Sequence, residues 1–282
     1  MSTLKLADAN LHYEVEGQGP PVLFIQGVGV SGAGYAPQIE ALAGTHTCVT
    51  FDNRGLGRST GDVSALSVEQ LAGDVVSLIA ALDLGPVHLV GHSLGGVIAH
   101  CTALRAPQAV KSLALLCTFV GGQDLARPTA RLIWGGMRSR VGTKGMRASG
   151  FARLVSPGAY VAERGLHATV AELERSFARP LWDAPGVSDK QLAALRAYDA
   201  RDQLERLGEL PTLVMSGRHD PIARPEFGRE LARRIPGARF FEHEQASHAL
   251  PIQQADVVNT MLLEHFAYAE ALQAGRSGQA RA

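Results

Sequence analysis

Cysteine is scarce in this chain, and neither sign of charge is in excess. The three cysteines, Cys48, Cys101 and Cys117, form an odd set without a Cys-x-x-Cys pair, which indicates buried reduced thiols rather than a disulfide framework. Basic and acidic residues balance at 27 each, and no basic stripe is present. Because nucleic-acid binding needs such a stripe, we expect no nucleic-acid partner.

Long apolar runs are missing as well. No stretch reaches the roughly 18 uninterrupted apolar residues of a membrane-spanning helix, and the first residues, Met1 to Lys5, lack the apolar core of a secretory signal. Histidine, cysteine and acidic residues show no metal-ligand spacing along the chain. These absences predict a cytoplasmic protein without a membrane partner, a bound metal or a cofactor, and they leave open whether it forms a homo-oligomer.

Short apolar runs alternate with helical patterns over much of the sequence. Buried strands are predicted at Val22–Ile25, Thr47–Phe51, Val87–Val90, Val110–Leu116, Pro211–Ser216 and Ala238–Phe241. Because parallel strands need crossover connections, this alternation predicts a mostly parallel sheet flanked by helices.

The alternation stops in the middle of the chain. From about Gly121 to Ala200 the pattern is helical, with one predicted helical piece over Gly158–Phe177. A segment of this length is too long for a bare loop. We therefore predict residues 1–119 and 206–272 as two parts of one α/β core, residues 120–205 as a helical cap, and residues 273–282 as a disordered tail.

One short stretch carries the strongest functional signal. The apolar run Val87–Val90 stops at Gly91, Ser93 follows between Gly91 and Gly95, and a helical pattern begins at once. A serine on so sharp a connection takes strained backbone, and its neighbours must lack a Cβ atom so that strand and helix can approach each other. In this setting the pattern Gly-x-Ser-x-Gly is a nucleophile elbow.

With this elbow the chain resembles the α/β-hydrolases, from about Leu4 to about Tyr268. The resemblance implies the α/β-hydrolase fold, with a mostly parallel eight-stranded sheet, flanking helices and a helical cap inserted into the core. Its opening part, from Tyr13–Gly17 to Phe51–Gly55, is similar to the enol-lactonases and small carboxylesterases. The implied activity is that of a serine hydrolase.

A serine nucleophile needs a base, and the base needs a carboxylate to orient it. In this family the order along the chain is serine, acid, histidine. Asp220 follows a predicted strand, and His248 lies before the final helix, where similar family members carry the base. His219, adjacent to Asp220, and His243, directly after a strand, are the competing histidines. We predict Ser93, Asp220 and His248 as the catalytic residues.

The oxyanion of an acyl-transfer reaction needs two hydrogen-bond donors. The resemblance places them at the backbone N–H groups of Leu94 and Val28. Many family members carry His-Gly just before the second donor, whereas this chain has Gln26 and Gly27, which we expect to support the pocket without reacting. His92, next to the nucleophile, is expected to be a packed or hydrogen-bonded support.

The same glycine-rich loop matches a dinucleotide fingerprint, because Gly27-x-Gly29-x-x-Gly32 follows a strand. That fingerprint should open directly into a helix, but Gly34 and Pro37 interrupt the segment. The sequence therefore disfavours a bound dinucleotide.

The leading hypothesis is a serine hydrolase that cleaves a small-molecule ester or lactone through an acyl-enzyme. Two alternatives stay open. In one, the same triad performs C–C bond hydrolysis, perhydrolysis, or a lyase or cyclase step. In the other, the hydrolase scaffold holds a ligand-sensing receptor with a slow triad. The aromatic residues of the cap, such as Trp182 and Phe177, fit either an apolar pocket or the cap's own core.

Overall fold

A computed structural model describes residues 2–125, 128–183 and 186–279, with side chains described up to residue 275. A nine-stranded sheet forms the centre of the described part. Its strands are β1 (Ser2–Lys5), β2 (Ala9–Glu16), β3 (Pro21–Ile25), β4 (Thr47–Phe51), β5 (Thr60–Gly61), β6 (Val87–His92), β7 (Val110–Leu116), β8 (Thr212–Gly217) and β9 (Arg239–His243).

Helices occupy most of the connections between the strands. They are α1 (Ala36–Leu42), α2 (Val68–Ala81), α3 (Leu94–Arg105), α4 (Ala130–Arg138), α5 (Lys144–Val155), α6 (Gly158–Arg164), α7 (Leu166–Phe177), α8 (Ser188–Ala197), α9 (Pro225–Arg234), α10 (Leu250–Gln253) and α11 (Ala255–Gln279). Helix α2 packs beside α3, and α1 packs beside α11. None of the helices in the described ranges is both long and apolar enough to cross a membrane.

The strands follow the order β1-β2-β4-β3-β6-β7-β8-β9, and the two-residue strand β5 pairs with β2. Every neighbouring pair from β4 to β9 is parallel, whereas the β1–β2 and β2–β4 pairs are antiparallel. The sheet is therefore mostly parallel and flanked by helices, as predicted, with β5 as an addition to the eight-strand path. Because the parallel strands end at one edge, their following loops converge there.

Strand β6 lies in the middle of the sheet, between β3 and β7. The side chains of Val87, Leu89 and Val90 have no solvent exposure, which explains why this strand reads as a continuous apolar run. The loop after β6 thus begins at the centre of the carboxyl edge.

Helices α4 to α8 lie between β7 and β8, within the residues predicted as a cap. The predicted helical piece Gly158–Phe177 is wrong in one respect, because α6 and α7 are separate helices. The break falls at Gly165, whose φ of 82° lies in the left-handed region that favours glycine. A small apolar cluster, with Leu173 and Phe177 buried in it, packs the cap together.

The final helix also differs from the prediction. Helix α11 continues through most of the predicted disordered tail, up to Gln279, and residues 280–282 lie outside the described residues.

Candidate active site

Ser93 stands between β6 and α3 in a strained backbone conformation. Its φ is 55° and its ψ is −120°, outside the regions that residues with a Cβ atom usually adopt. The surrounding structure holds it there, because the Ser93 N–H donates to the Leu116 carbonyl at 2.9 Å and the Thr118 hydroxyl donates to the Ser93 carbonyl at 2.6 Å. Such strain persists only where neighbours over-determine the backbone.

The glycines of the elbow leave no room for side chains. A Cβ atom on Gly95 would lie 1.9 Å from the Ile25 carbonyl oxygen, and one on Gly91 would lie 2.3 Å from the Gly95 carbonyl oxygen. Strand β6 and helix α3 therefore approach each other as closely as the backbone allows, and Ser93 is presented at the turn between them.

The structure brings Asp220 and His248 together. Asp220 follows β8, His248 lies in the loop after β9, and the distance from His248 Nδ1 to Asp220 Oδ2 is 2.7 Å. The other carboxylate oxygen, Oδ1, accepts hydrogen bonds from the Ile222 N–H at 2.8 Å and the Ala223 N–H at 3.0 Å. With Nδ1–H donating to the carboxylate, the Nε2 atom of the neutral His248 ring carries a lone pair that can accept a proton.

The two competing histidines are not bonded to Asp220. His219 is exposed to solvent; its backbone N–H donates to the Ala246 carbonyl at 2.9 Å, and its carbonyl accepts from the Ser247 hydroxyl at 3.2 Å. His243 ends β9, where its Nδ1 accepts from the Gln245 N–H at 3.2 Å. Geometry therefore favours His248 as the partner of Asp220.

His92 lies beside the base, at 4.8 Å between ring centroids. Its Nε2 atom is 2.9 Å from the His248 carbonyl oxygen, so Nε2 carries the proton and donates it. Burial, with the neighbouring His248 as a smaller cause, lowers the pKa of His92 to about 3. The ring is therefore neutral at ordinary pH and cannot act as a second cation.

Sequence reasoning missed one neighbour of the site, Cys117, which follows β7 with a φ of 45°. Its Sγ and one ring nitrogen each of His92 and His248 lie within 4.8 Å of one another, a set of soft metal ligands that linear spacing did not indicate. Burial is the main cause that raises the pKa of the Cys117 thiol well above its ordinary value, and Asp220 adds to the effect. The thiol therefore stays protonated.

The loop after β3 lies against the nucleophile. A Cβ atom on Gly27 would be 3.0 Å from the Ser93 Cβ atom. The Gly27 N–H is used by the Gln26 side chain, whose Oε1 accepts it at 3.2 Å. Within the described ranges the N–H groups of Val28 and Leu94 have no hydrogen-bond acceptor, so both can donate to a substrate oxygen.

The loop is anchored by Asp52, at the end of β4. Its Oδ1 accepts from the Gly32 N–H and its Oδ2 from the Arg58 N–H, both at 2.9 Å. The glycines lead into a short 3₁₀ turn, Gly32–Tyr35, and only then into α1. A dinucleotide loop opens directly into a helix, so this geometry does not fit one.

An apolar cluster surrounds these groups. Val30 of the loop, Ala249 next to His248 and Ile222 near Asp220 all pack with cap side chains such as Phe177 and Leu181. Ser93 is 7% exposed, and His248 is 8% exposed. The cap therefore brings apolar side chains next to Ser93 and His248, which are both nearly buried.

Comparison with known proteins identifies the family. The family model described as the alpha/beta hydrolase fold matches residues 20–255. The chain belongs to the α/β-hydrolase family. This match spans Ser93, Asp220 and His248, as well as the helices between β7 and β8.

Several proteins that are similar to this chain carry the names of hydrolases. The proposed carbamate hydrolase RutD of Azorhizobium caulinodans is 32% identical over 266 residues, which cover 91% of this chain and 94% of that protein. The enol-lactonase of Burkholderia xenovorans LB400 superposes with a TM-score of 0.77 at 26% identity, covering 94% of this chain and 100% of that one. A thermophilic esterase from Thermogutta terrifontis gives 0.77 at 25% identity, covering 95% and 99%.

Proposed function

We propose that this hydrolase cleaves a small-molecule ester or lactone through an acyl-enzyme, with Ser93, His248 and Asp220 as its catalytic triad. The observation that carries the proposal is the 2.7 Å hydrogen bond between His248 Nδ1 and Asp220 Oδ2, with the His248 ring 4.8 Å from that of His92, the residue before the strained Ser93. A hydroxyl at ordinary pH is a weak nucleophile, and a neutral imidazole held in one tautomer is the base that activates it.

The reaction proceeds in two halves. Ser93 Oγ attacks the acyl carbonyl while His248 Nε2 takes the hydroxyl proton, and the N–H groups of Val28 and Leu94 bind the oxyanion. His248 then gives that proton to the leaving alkoxide, and the acyl group stays on Ser93. Water attacks the acyl-enzyme with His248 again as base, which releases the acid and restores Ser93.

The apolar contacts around the site support a substrate with an apolar acyl part or ring. Apolar side chains lie in the loop after β3 and close to Asp220 and His248 along the chain, at Val30, Ile222 and Ala249. They pack in one cluster with the cap residues Phe177 and Leu181. Among similar proteins, one is named an enol-lactonase and another an esterase, which accords with this chemistry. The proposed partner is thus a small molecule that reaches the site when the cap opens.

The test is the intact mass of the protein after treatment with a fluorophosphonate, for the wild type and for Ser93→Ala. We expect one phosphonyl adduct on the wild type and none on the variant. A panel of p-nitrophenyl esters, lactones and carbamates then ranks the substrate classes. A folded wild type without an adduct would contradict the proposal and favour the lyase or receptor alternatives.

A further inference from the structure

Two cap side chains hold the oxyanion loop, residues 26–32 after β3, by hydrogen bonds to one residue, Gly29. Its N–H donates to Gln191 Oε1 at 2.8 Å, and its carbonyl accepts from Arg179 Nε at 3.0 Å. Gln191 belongs to α8, and Arg179 lies just after α7. Both backbone groups of Gly29 are thus bonded to cap side chains, although these side chains are more than a hundred residues away along the chain.

These bonds matter because the loop has little other backbone support next to Val28. Gly29 has a φ of 67°, and Val30 N–H donates to the Gly27 carbonyl at 3.3 Å. The Gly29 N–H is part of the peptide unit that directly follows Val28. Fixing this unit limits the rotation of Val28 and so the direction of the Val28 N–H, the proposed oxyanion donor.

Burial constrains the side chain of Gln191, and further hydrogen bonds constrain that of Arg179. Gln191 has no solvent exposure, and its Nε2 has no hydrogen-bond partner among the described residues, so its buried role is to accept from Gly29. The Arg179 guanidinium also donates to the carbonyls of Pro180 and Asp183 and lies 5.8 Å from the Phe177 ring centroid. Arg179 therefore ties the connection between α7 and α8 to the oxyanion loop.

Ser93 and His248 are almost completely buried in this structure, in which the cap is hydrogen-bonded to the oxyanion loop. A displacement of α8 and of Arg179 away from the loop would break both hydrogen bonds to Gly29. The oxyanion loop then loses the bonds that orient it, and closure restores them. The closed cap therefore does more than exclude water from the reaction.

We propose that Gln191 and Arg179 are positioning residues for acyl transfer, which set the Val28 oxyanion donor only while the cap is closed. This inference rests on the proposed function. It assigns the cap a part in the chemical step as well as in substrate choice.

The experiment compares kcat and KM of Gln191→Met and Gln191→Glu on an ester substrate. Methionine has a similar length without an acceptor, whereas glutamate keeps an oxygen for the Gly29 N–H. Removing a whole oxyanion donor typically costs a factor of about 10²–10³ in kcat. A misdirected donor should cost less than a missing one. We therefore expect Gln191→Met to lower kcat about 10- to 100-fold, with KM within about threefold of the wild type. We expect the kcat of Gln191→Glu to be at least about tenfold higher than that of Gln191→Met.

Arg179→Met provides a second variant, and Arg140→Met provides the control. Arg140 is an exposed cap arginine whose ion pair with Asp189 reaches the same helix α8 but not the oxyanion loop. We expect Arg179→Met to lower kcat like Gln191→Met, and Arg140→Met to leave it unchanged. A trifluoromethyl ketone, which forms an oxyanion on Ser93, should lose affinity in parallel with kcat.

Three results would overturn the inference: an unchanged kcat in both Gln191→Met and Arg179→Met, a change in KM alone, or an equal loss in Arg140→Met. Thermal unfolding of each variant shows whether a loss of activity is due to misfolding. If one of Gln191→Met and Arg179→Met does not fold, the kcat of the other variant is the test. The proposed function fails differently, because then the wild type itself shows neither ester turnover nor a Ser93-dependent phosphonyl adduct.

Discussion

His92 and His248 are joined by a hydrogen bond between residues 156 positions apart in the chain. The Nε2 atom of His92, directly before the nucleophile, donates to the backbone carbonyl of His248 at 2.9 Å. The loop that carries the proposed base is therefore anchored on the elbow that carries the proposed nucleophile. This bond couples the positions of the two groups that exchange a proton.

The first prediction concerns that anchor. His92→Leu removes the donor and leaves a buried carbonyl without a partner, which typically costs about 1–3 kcal/mol. We expect kcat to fall about tenfold or more, with a smaller change in KM. The substitution displaces the proposed base, His248, and leaves the groups that bind the substrate in place. His92→Gln, which keeps a donor, should recover part of the loss. Steady-state kinetics with equal kcat for His92→Leu and the wild type would contradict the prediction.

A second prediction follows from the strained backbone of Ser93. Glycine adopts a φ of 55° without a steric penalty, so Ser93→Gly should be more stable than the wild type by about 1–2 kcal/mol while losing activity. Ser93→Ala keeps the Cβ atom and is the matched control, because it removes the hydroxyl alone. Urea unfolding of the three proteins measures the difference, and equal stability of Ser93→Gly and Ser93→Ala would show that the strain is small.

The third prediction compares two helical glycines. Gly95→Ala places a Cβ atom 1.9 Å from the Ile25 carbonyl oxygen, so the elbow cannot form and the variant should fail to fold or lose several kcal/mol of stability. Gly73→Ala, in α2, meets no atom within 4 Å and should stabilise the protein by about 0.5–1 kcal/mol. Thermal unfolding checks both, and opposite shifts in Tm are the expected outcome.

The fourth prediction is a loss of stability in mild acid. Burial lowers the pKa of His92 to about 3, of His100 to about 4 and of His265 to about 3. The unfolded chain binds these protons near pH 6.5, whereas the folded chain resists them, so stability rises with pH between those values and falls as the pH drops below about 6.5. Each group contributes a slope of up to about 1.4 kcal/mol per pH unit.

Urea unfolding at pH 7 and pH 5 tests the fourth prediction, because most carboxyl groups change their protonation little between these pH values. We expect a lower free energy of unfolding at pH 5. His100→Met should flatten the dependence, since His100 lies outside the candidate active site and its Nδ1 atom has no hydrogen-bond partner in the part of the chain that the structure describes. A free energy that is equal at both pH values, or higher at pH 5, would contradict the assignment of buried neutral rings.

The sequence by itself determined the features that depend on neighbouring residues. The strand, turn and helix around Ser93 follow from Gly91 and Gly95, because local sterics permit only small residues where two elements meet. The alternation of apolar runs with helical patterns likewise predicts the mostly parallel sheet, and the elbow carries the resemblance to the family; the topology and the family comparison confirm both. The split at Gly165 was missed, because one isolated glycine in a helical pattern is often tolerated.

Only the tertiary structure decided which distant groups meet. The sequence predicts His248 from its place before the final helix, but only the fold sets its ring, and not that of His219 or His243, on the Asp220 carboxylate. No motif points to Gln191 or Arg179, since an amide and a guanidinium in an irregular helical segment carry no signal until the fold sets them against Gly29. Such contacts depend on side chains that converge from separate elements, and the linear pattern contains no record of that convergence.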